Sequence, residues 1–428
     1  MGRDGNRMKI CIVAQTFAPQ DEGGAEISSR HAASNLARRH DVVVLALGLA
    51  GEAGAEPGEA STTAPYRVYR VPFRNSYLPG AKRPAVGRMT KALWHIRSAV
   101  GAVAEADLER FFQSEGFDLI YAQNSTRMQP ALYRVAARMG IPVCQHLRDY
   151  ALLCPRTSMY RSGTNCIAPC GTCRALTMRA RQASSTVGTV IAVSDFVRRR
   201  YLDHGLFPDA DWHVLHNTNT ARADFDETLL AARPEPGPGF TIGYLGALSE
   251  EKGVETLLRA FCALPPSLDA RLLMAGRGHQ DFVDQMQRLV QAAGSGDRVE
   301  WLGHTRPEAV MSRSEVIVVP SLWHEPQSRV LVESAVYGLP VIAARTGGSP
   351  EIVEGNRTGW TYDATDPEAL RALLQTAAEG GAANWRTSLG SRFPGLVGFR
   401  GTAEDTRFYD RLAGILLGAY AIRGTVQR

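Results

Sequence analysis

Two carboxylates in the second half of the chain, Glu325 and Glu333, stand eight positions apart in the run PSLWHEPQSRVLVESAVYGLPVIAARTGG. A carboxylate can accept two hydrogen bonds from a sugar diol, so one acid could hold a ribose while the other contacts a second sugar. The alternative is that both are ordinary charges, one in a loop and one on a helix surface. The spacing alone leaves these two interpretations open.

The elements around this pair decide where the acids lie. Residues 316–320 are a β-branched run, which predicts a buried parallel strand. Ser328 is predicted to cap a following helix that Gly338 and Pro340 end. Ligands of open α/β sheets bind beyond the carboxyl ends of the strands, so both acids should face one crevice. The backbone N–H groups of residues 326–329 would favour a phosphate there.

A lysine at another strand-to-helix turn suits the same kind of ligand. Lys252 follows Gly246 in the run GYLGALSEEKGVETLLRAF, and it is one of only four lysines among the 48 basic residues. An ammonium at a helix N-terminus binds phosphate as a point charge. The alternative is an exposed lysine in a charged turn beside Glu250 and Glu251. Neither G-x-x-x-x-G-K-[ST] nor G-x-G-x-x-G follows either first strand, which argues against a P-loop NTPase or a dinucleotide-dependent redox enzyme.

Length and composition set the frame for these motifs. A chain of 428 residues should divide into two domains, because single cores stop growing near roughly 250 to 300 residues. It has 44% hydrophobic and 21% charged residues, no apolar run long enough to span a bilayer and no apolar signal core at the start. We therefore expect a cytoplasmic protein. The net charge of +5 favours anionic ligands or an anionic membrane surface over nucleic acid.

Strands and helices alternate along the chain in two series. The first series predicts a helix at 25–39, a loose loop at 48–65, and strands at 9–15, 41–47, 66–71, 118–123, 142–147, 190–194 and 212–216. The run AARPEPGPG at 231–239 reads as a linker. The second series predicts strands at 241–245, 271–275, 299–302, 316–319 and 341–344. We predict an α/β fold of two doubly wound domains, 1–230 and 240–390, with a cleft between them and a helical segment, 391–428, that packs back towards the first.

Four motifs occur in order between Gly243 and Trp360: G-x-L-x-x-E-K-G, the Glu-x7-Glu pair, G-L-P-V-I-A and T-G-G-S-P-E-I-V-E-G-x-x-T-G-W. With them the chain resembles, over nearly its whole length, the retaining nucleotide-sugar-dependent glycosyltransferases of family 4. Those enzymes have the GT-B architecture of two facing Rossmann-like domains. The resemblance implies transfer of a sugar from a nucleoside diphosphate to a hydroxyl in polysaccharide, lipopolysaccharide or glycolipid synthesis.

The resemblance also implies roles for single residues. Glu333 would hold the donor ribose, Glu325 would contact the donor sugar near its reacting carbon, and Lys252 would neutralise the diphosphate so that no metal or other cofactor is required. Gly23 and Gly24 match the family's glycine loop, for which a simple tight turn is the alternative. Further donor contacts are expected from Gly246, Arg277, Arg329 and Val330.

Two departures from the family pattern weaken the match. Ala247 stands where relatives carry an arginine, and Arg329 or Arg277 would have to compensate. Arg148 stands where many relatives carry a histidine before the Asp-Tyr pair, while His146 lies two residues earlier. Either could contact the donor sugar, with Arg148 and Asp149 on the acceptor side. The alternative is that His146 is structural.

Four cysteines follow within the loop at 150–175, at positions 154, 166, 170 and 173. Cys154, Cys166, Cys170 and Cys173 could hold a structural zinc ion, remain free thiols or form disulfides, and the spacing leaves all three open.

Residues 82–112 predict one basic amphipathic helix. Its apolar face could lie on anionic lipid, which would place the protein at the inner face of the cell membrane with a lipid-linked acceptor. Packing of that face on the core of the first domain is the alternative. For the chain as a whole, two other functions stay open: a nucleotide-sugar epimerase or hydrolase of the same architecture, and a catalytically weak nucleotide-sugar-binding protein.

Overall fold

The computed structural model describes residues 7–17, 24–49, 64–78, 87–217, 239–394, 396 and 403–426. They divide into two compact units. Unit 1 comprises Met1–Met159, Ile167–His216 and Asp405–Arg428, and unit 2 comprises Tyr160–Cys166 and Asn217–Glu404. Most of the predicted loop at 48–65 and of the predicted linker at 231–239 lies outside the described residues.

Fifteen strands occur in the described residues. In chain order they are β1 (Lys9–Ala14), β2 (Asp41–Leu49), β3 (Arg67–Phe73), β4 (Leu119–Asn124), β5 (Val143–Leu147), β6 (Tyr160–Arg161), β7 (Thr164–Asn165), β8 (Thr189–Ala192), β9 (Asp211–Val214), β10 (Phe240–Leu245), β11 (Ala270–Ala275), β12 (Val299–Gly303), β13 (Val316–Val319), β14 (Val341–Ala344) and β15 (Gly359–Tyr362).

The α-helices of the described residues are α1 (Gly24–Leu36), α2 (Arg88–Gly101), α3 (Glu105–Glu115), α4 (Gln129–Arg138), α5 (Gly171–Ala183), α6 (Asp195–Leu202), α7 (Val254–Cys262), α8 (Gln280–Ala292), α9 (Pro307–Met311), α10 (Arg329–Val336), α11 (Ser349–Val353), α12 (Pro367–Ala378), α13 (Gly381–Arg392) and α14 (Ala403–Val426).

Each unit is built on one parallel sheet. The strand order in unit 1 is β3-β2-β1-β4-β5-β8-β9, and in unit 2 it is β12-β11-β10-β13-β14-β15. Both orders reverse direction between the first strand and the fourth strand of the series. The crevice beyond the carboxyl ends of the strands at such a reversal is where ligands bind in doubly wound folds. The predicted α/β class with two Rossmann-like sheets is confirmed.

The two cores follow from the sequence pattern. All residues of β13 and β14 are buried, as expected for parallel strands covered on both faces. Helix α7 buries Val254, Leu257, Leu258 and Phe261, which recur at helical spacing and face the sheet of unit 2. Helix α14 contributes Phe408, Leu412 and Leu416 to the core of unit 1, although it comes last in the chain.

Three local predictions need correction. The single helix predicted at 82–112 is wrong, because α2 ends at Gly101, whose φ of 152° cannot continue a helix, and α3 begins at Glu105. Residues 82–86 lie outside the described part. Ser328 does occupy the N-cap position of α10, but its side chain makes no capping hydrogen bond. Strand β15 and the short hairpin β6–β7 were not predicted.

Candidate functional site

The reversal point of the unit 2 sheet carries an ion pair. Lys252 lies in the turn after β10, and Glu325 lies in the loop after the adjacent strand β13. The Lys252 ammonium donates to Glu325 Oε1 at 2.8 Å, and Ser321 Oγ donates to Glu325 Oε2 at 2.7 Å. The exposed fraction of the side chain is 24% for Lys252 and 10% for Glu325. Two opposite charges therefore meet at the position where the fold binds ligands.

Close packing of backbone against backbone fixes this pair. A Cβ on Gly253 would lie 1.9 Å from the carbonyl oxygen of Pro320, so only glycine lets the two loops approach. Gly347 has a φ of 56°, and a Cβ there would lie 2.0 Å from the carbonyl oxygen of Glu325. That same carbonyl accepts a hydrogen bond from the Gly348 N–H at 2.9 Å. The loop that carries Glu325 is thus clamped from two sides by glycines.

Glu333 forms a second pair, one helix turn apart from its partner. Arg329 donates to Glu333 Oε1 at 2.9 Å within α10, and both side chains are largely buried. Burial raises the pKa of Glu333 and the nearby Glu308 carboxylate adds to this, whereas the Arg329 charge lowers it. The structure thus brings Glu325 together with Lys252, and Glu333 together with Arg329.

The other predicted donor residues of unit 2 line neighbouring turns. The loops after β10 and β11 pair through backbone atoms, because the Leu248 N–H donates to the carbonyl of Arg277 at 2.8 Å. Arg277 is exposed, and Gly246 precedes Ala247 in the opposite loop. Val330 lies in the first turn of α10 and packs against the core. In unit 1, Gly24 begins α1, whereas Gly23 lies outside the described residues.

The predicted residues of unit 1 differ in their exposure. His146 in β5 is fully buried, and its Nδ1 lies 2.7 Å from the Tyr121 hydroxyl and 3.4 Å from the Arg148 guanidinium. Burial first, and the Arg148 charge second, hold the pKa of His146 well below its usual value, so the ring stays neutral. With no exposed surface, the ring does not reach solvent here. Arg148 is half-buried and is the more accessible of the two.

Asp149 folds the loop after β5. Its Oδ1 accepts a hydrogen bond from the Ala151 N–H at 2.8 Å, and its carbonyl accepts one from the Tyr201 hydroxyl at 2.9 Å. Burial raises the pKa of Asp149 to about 6, although the Ala151 N–H and the Arg127 charge oppose that shift. These contacts assign Asp149 a part in loop structure. Its predicted place on the acceptor side stays a prediction.

The cysteines divide between the two units. In unit 1 the Cys173 thiol contacts those of Cys154 and Cys170, and burial together with these neighbours raises the pKa of Cys173 to about 12. Cys166 belongs to unit 2. None of the seven cysteines, which all lie in the described residues, forms a disulfide. Among the described residues, no group of three or more His, Cys, Asp or Glu side chains is arranged to hold a metal ion. The zinc site therefore stays a prediction.

Several residues of the site were not predicted. The Trp323 ring lies 5.3 Å from the Lys252 ammonium, within cation–π range, and Ser321 holds one oxygen of Glu325. Both lie in the run SLWHE, within four residues of Glu325, so their nearness in sequence was a signal for including them. Asn165, from a distant part of the chain, binds the same loop. The sequence signal near it is the Ser162-Gly163 pair, which is typical of a hairpin turn.

Known proteins extend this picture. Residues 23–218 match the family model of a glycosyl transferase 4-like domain, and residues 226–390 match that of glycosyl transferases group 1. An uncharacterized 42.6 kDa protein in the cps region of Klebsiella pneumoniae is 24% identical over 81% of this chain and 87% of its own length. A D-inositol 3-phosphate glycosyltransferase of Corynebacterium diphtheriae is 34% identical over 31% of this chain and 34% of its own length.

A solved structure shows the same fold. Anabaena Alr3699/HepE in complex with UDP-glucose aligns with a TM-score of 0.62 and 21% identity, over 95% of this chain and 100% of that one. The two family matches follow one another along the chain and cover most of it, in agreement with the two parallel sheets. This chain therefore belongs to the glycosyltransferases that combine a glycosyl transferase 4-like domain with a group 1 domain in the GT-B fold.

Proposed function

We propose that this glycosyltransferase moves a sugar, with retention of configuration, from a nucleoside diphosphate-sugar to a hydroxyl acceptor. The observation that carries the proposal is the Lys252–Glu325 pair at the reversal point of the unit 2 sheet, 2.8 Å apart and partly open to solvent. An ammonium at that place can neutralise a departing diphosphate, and the carboxylate can accept hydrogen bonds from sugar hydroxyls.

The reaction needs few protein groups. The bond between the sugar's anomeric carbon and the diphosphate oxygen breaks, and a bond from that carbon to the acceptor oxygen forms on the same face. The acceptor proton passes to the departing phosphate, so no protein base is assigned. Lys252 would stabilise the charge that develops on the leaving group, which is the role a divalent metal ion plays elsewhere. Arg277, exposed beside the turn of Ala247, would supply a second positive charge.

Glu333 is proposed to hold the ribose of the donor. Its carboxylate is fixed by Arg329, which leaves Oε2 as the acceptor for a ribose hydroxyl. The neighbouring Anabaena structure was solved with UDP-glucose, which makes UDP and UDP-glucose the first probes. The cps-region relative supports an acceptor in polysaccharide synthesis.

The test is a binding and turnover screen of the purified chain. Nucleoside diphosphates and their sugars are added singly, with and without EDTA, and the melting temperature is followed, because a ligand of the folded state raises it. The proposal predicts that one nucleotide family stabilises the protein and that EDTA leaves this unchanged. Proton NMR of the product should then show the donor's anomeric configuration. Inverted product, or turnover that needs a divalent ion, would contradict the mechanism.

The same screen separates the two alternative functions. An epimerase or hydrolase would consume the donor with no acceptor present. Ala247, in the position where relatives carry arginine, is the observation that favours a weak nucleotide-sugar-binding protein. That alternative predicts donor binding of normal strength with no product for any acceptor hydroxyl offered.

We also propose that unit 1 acts at the surface of an anionic membrane, with a lipid-linked acceptor. None of the described helices is long and apolar enough to cross a bilayer. Helix α2 buries Trp94 but exposes Met89, Leu93, Ile96 and Val100, by 81, 52, 48 and 54%. Spacings of four, three and four residues place these four on one side of the helix. The alternative, packing of the apolar face on the core, thus holds for Trp94 and not for these four side chains.

A second helix extends this apolar surface. Helix α5 packs against α2, exposes Met178 by 52%, and donates from Arg179 to the carbonyl of Val100 at 2.7 Å. Neither helix contains an acidic residue, and Lys91, Arg97 and Arg174 are exposed on them. Basic and apolar side chains together suit anionic headgroups over acyl chains.

Vesicle co-sedimentation tests this location. The chain should bind vesicles of phosphatidylglycerol and not those of phosphatidylcholine, and added salt should weaken binding. Changing Leu93 and Ile96 together to serine should abolish binding. Leu202→Ser, which changes another exposed leucine of unit 1, is the matched control. Equal binding by the double variant and the control would contradict the proposal.

A further inference from the structure

A short hairpin lies in the N-terminal half of the sequence but belongs to unit 2. Strands β6 and β7 pair antiparallel, with Tyr160 opposite Asn165 and Arg161 opposite Thr164. The turn between them is Ser162-Gly163, with φ values of 50° and 76°. Two positive φ values define the tight turn that matches the twist of a two-stranded ribbon. The register of the hairpin, and so the direction of Asn165, is therefore fixed locally.

Asn165 binds the backbone of the loop that carries Glu325. Its Nδ2 donates to the carbonyl of Leu322 at 2.8 Å, and its Oδ1 accepts from the N–H of His324 at 2.7 Å. One amide thus satisfies a donor and an acceptor two residues apart. The partners are separated by 157 and 159 positions in sequence. Only a side chain with both a donor and an acceptor in one plane makes this pair of bonds.

The opposite edge of the same loop is held by the turn that carries Lys252. The N–H groups of Leu322 and Trp323 donate to the carbonyl of Glu251 at 2.9 and 3.2 Å. The N–H of Glu325 then donates to the carbonyl of Trp323 at 2.7 Å, which closes the turn that ends in the carboxylate. Asn165 and Glu251 therefore hold one short loop between them.

From this arrangement we propose that Asn165 is a positioning residue for the Glu325–Lys252 pair. The proposal rests on the proposed function, in which that pair meets the donor. Asn165 acts through the backbone at residues 322 and 324, since it limits the conformations of the loop and so keeps the Glu325 carboxylate beside the ammonium. Misplacement of a reacting group by about 1 Å can cost on the order of a hundredfold in rate, so a loop held by two hydrogen bonds matters.

The test compares Asn165→Asp with Thr164→Ala. The first keeps the shape of the side chain but replaces the donor to Leu322 by an oxygen that repels its carbonyl. The second removes the hydrogen bond from Thr164 to the carbonyl of Arg161, inside the same hairpin, without touching the loop. Asn165→Ala is added so that the effect of a new negative charge is separated from the loss of the bonds.

Two readouts are needed. Amide hydrogen exchange at residues 322–325 should rise in both Asn165 variants and stay at the wild-type rate in Thr164→Ala. With UDP-glucose as donor, kcat should fall by roughly 10- to 100-fold, while the Kd of UDP should stay within about threefold of wild type. A merely structural residue would lower the melting temperature and leave kcat of the folded protein unchanged.

The outcomes are distinguishable. Unchanged exchange at 322–325 in both Asn165 variants overturns the positioning role, whatever the turnover. Increased exchange with unchanged kcat overturns it as well, since the loop would then not govern the reaction. If the wild type itself neither binds UDP nor turns over UDP-glucose, the proposed function fails for that donor. The exchange experiment would still decide whether Asn165 holds the loop.

Discussion

The two sheets of this chain share one strand order yet present different chemistry at their loops. In unit 2 the loops after β10 and β13 bring Lys252 and Glu325 together with part of each side chain open to solvent. In unit 1 the end of β5 places His146 in the interior, while Arg148 and Asp149 in the loop after it are half-buried. The fold offers a crevice twice, and in the part of the chain that the structure describes the Lys252–Glu325 ion pair lies at the crevice of unit 2.

This difference shows that fold and function are separate arguments. Doubly wound sheets position whatever side chains follow their strands, and the polarity and burial of those side chains decide the chemistry. In unit 2 Lys252 and Glu325 are paired with each other, and part of each side chain is exposed. In unit 1 burial keeps the His146 ring neutral. This difference supports the proposal that the donor binds at unit 2.

The largest expected effect breaks the unit 2 pair. Lys252→Ala removes the positive charge that we propose neutralises the leaving diphosphate, and it should lower turnover by roughly 10²- to 10³-fold, the usual effect of losing one preorganised charge contact. Steady-state kinetics with UDP-glucose would measure it. Arg259→Ala is the matched control, because it removes an exposed charge paired with Glu255 on α7. Equal loss in both variants would mean that net charge, not position, matters.

The next effect concerns the glycine behind Glu325. Gly347→Ala should destabilise unit 2 by about 3 kcal/mol or more. The new Cβ would clash with the carbonyl of Glu325, and alanine is also strained at a left-handed φ. Gly116→Ala in unit 1 is the control, since its φ of 66° is similar but a Cβ there meets nothing within 4 Å. That variant should lose only about 1 to 2 kcal/mol. Urea unfolding curves give both values, and equal losses would contradict the clamp.

A third prediction concerns the buried Glu333 in unit 2. Its pKa is raised in the folded state, so folding binds its proton more tightly and stability falls as pH rises through the folded pKa. Arg329→Ala removes the charge that opposes this shift, so its cost should grow as pH rises from about 4.3, the usual pKa of a glutamate, to neutrality, and reach roughly 1 to 3 kcal/mol. Thermal unfolding across that range would measure it. A cost independent of pH would show that Arg329 does not stabilise the Glu333 carboxylate.

The smallest expected effect concerns Asp149 in unit 1. The pKa of Asp149 is raised to about 6, so the wild type loses stability as pH rises from about 4 to about 6. Asp149→Asn keeps the acceptor for the Ala151 N–H but cannot ionise. Its melting temperature relative to wild type should therefore rise over that range and level off above it. A constant difference between pH 4 and pH 7 would show that Asp149 titrates normally.

Much of this arrangement could be predicted from sequence, for identifiable reasons. Strand β13 is a continuous β-branched run, and the bounds of β13 and β14 agree with the predicted strands at 316–319 and 341–344. Lys252 follows β10 and Glu325 follows β13, so a rule about strand ends was enough to place both at one edge of the sheet. This strand-end signal is strong because it depends on neighbouring residues and recurs along the chain.

Other features depend on contacts that no local pattern encodes. Strands β6 and β7 contain two residues each, too few for an alternating pattern to be recognised. Asn165 reaches its partners across more than 150 positions, so its role appears only in three dimensions. The full burial of His146 could not be predicted from the sequence either. Both faces of a covered parallel strand are buried, so the position of a residue along the strand does not tell whether it reaches solvent. The break at Gly101 depended on one backbone angle.

The most direct test of the central claim is amide hydrogen exchange of the full chain with and without UDP. Our account predicts protection by the nucleotide in the turn at 246–253 and in the loop at 321–330, with smaller changes at 146–151. Protection confined to unit 1 would contradict the assignment of the donor site to unit 2. The same conclusion would follow if UDP bound and left both unit 2 segments unchanged.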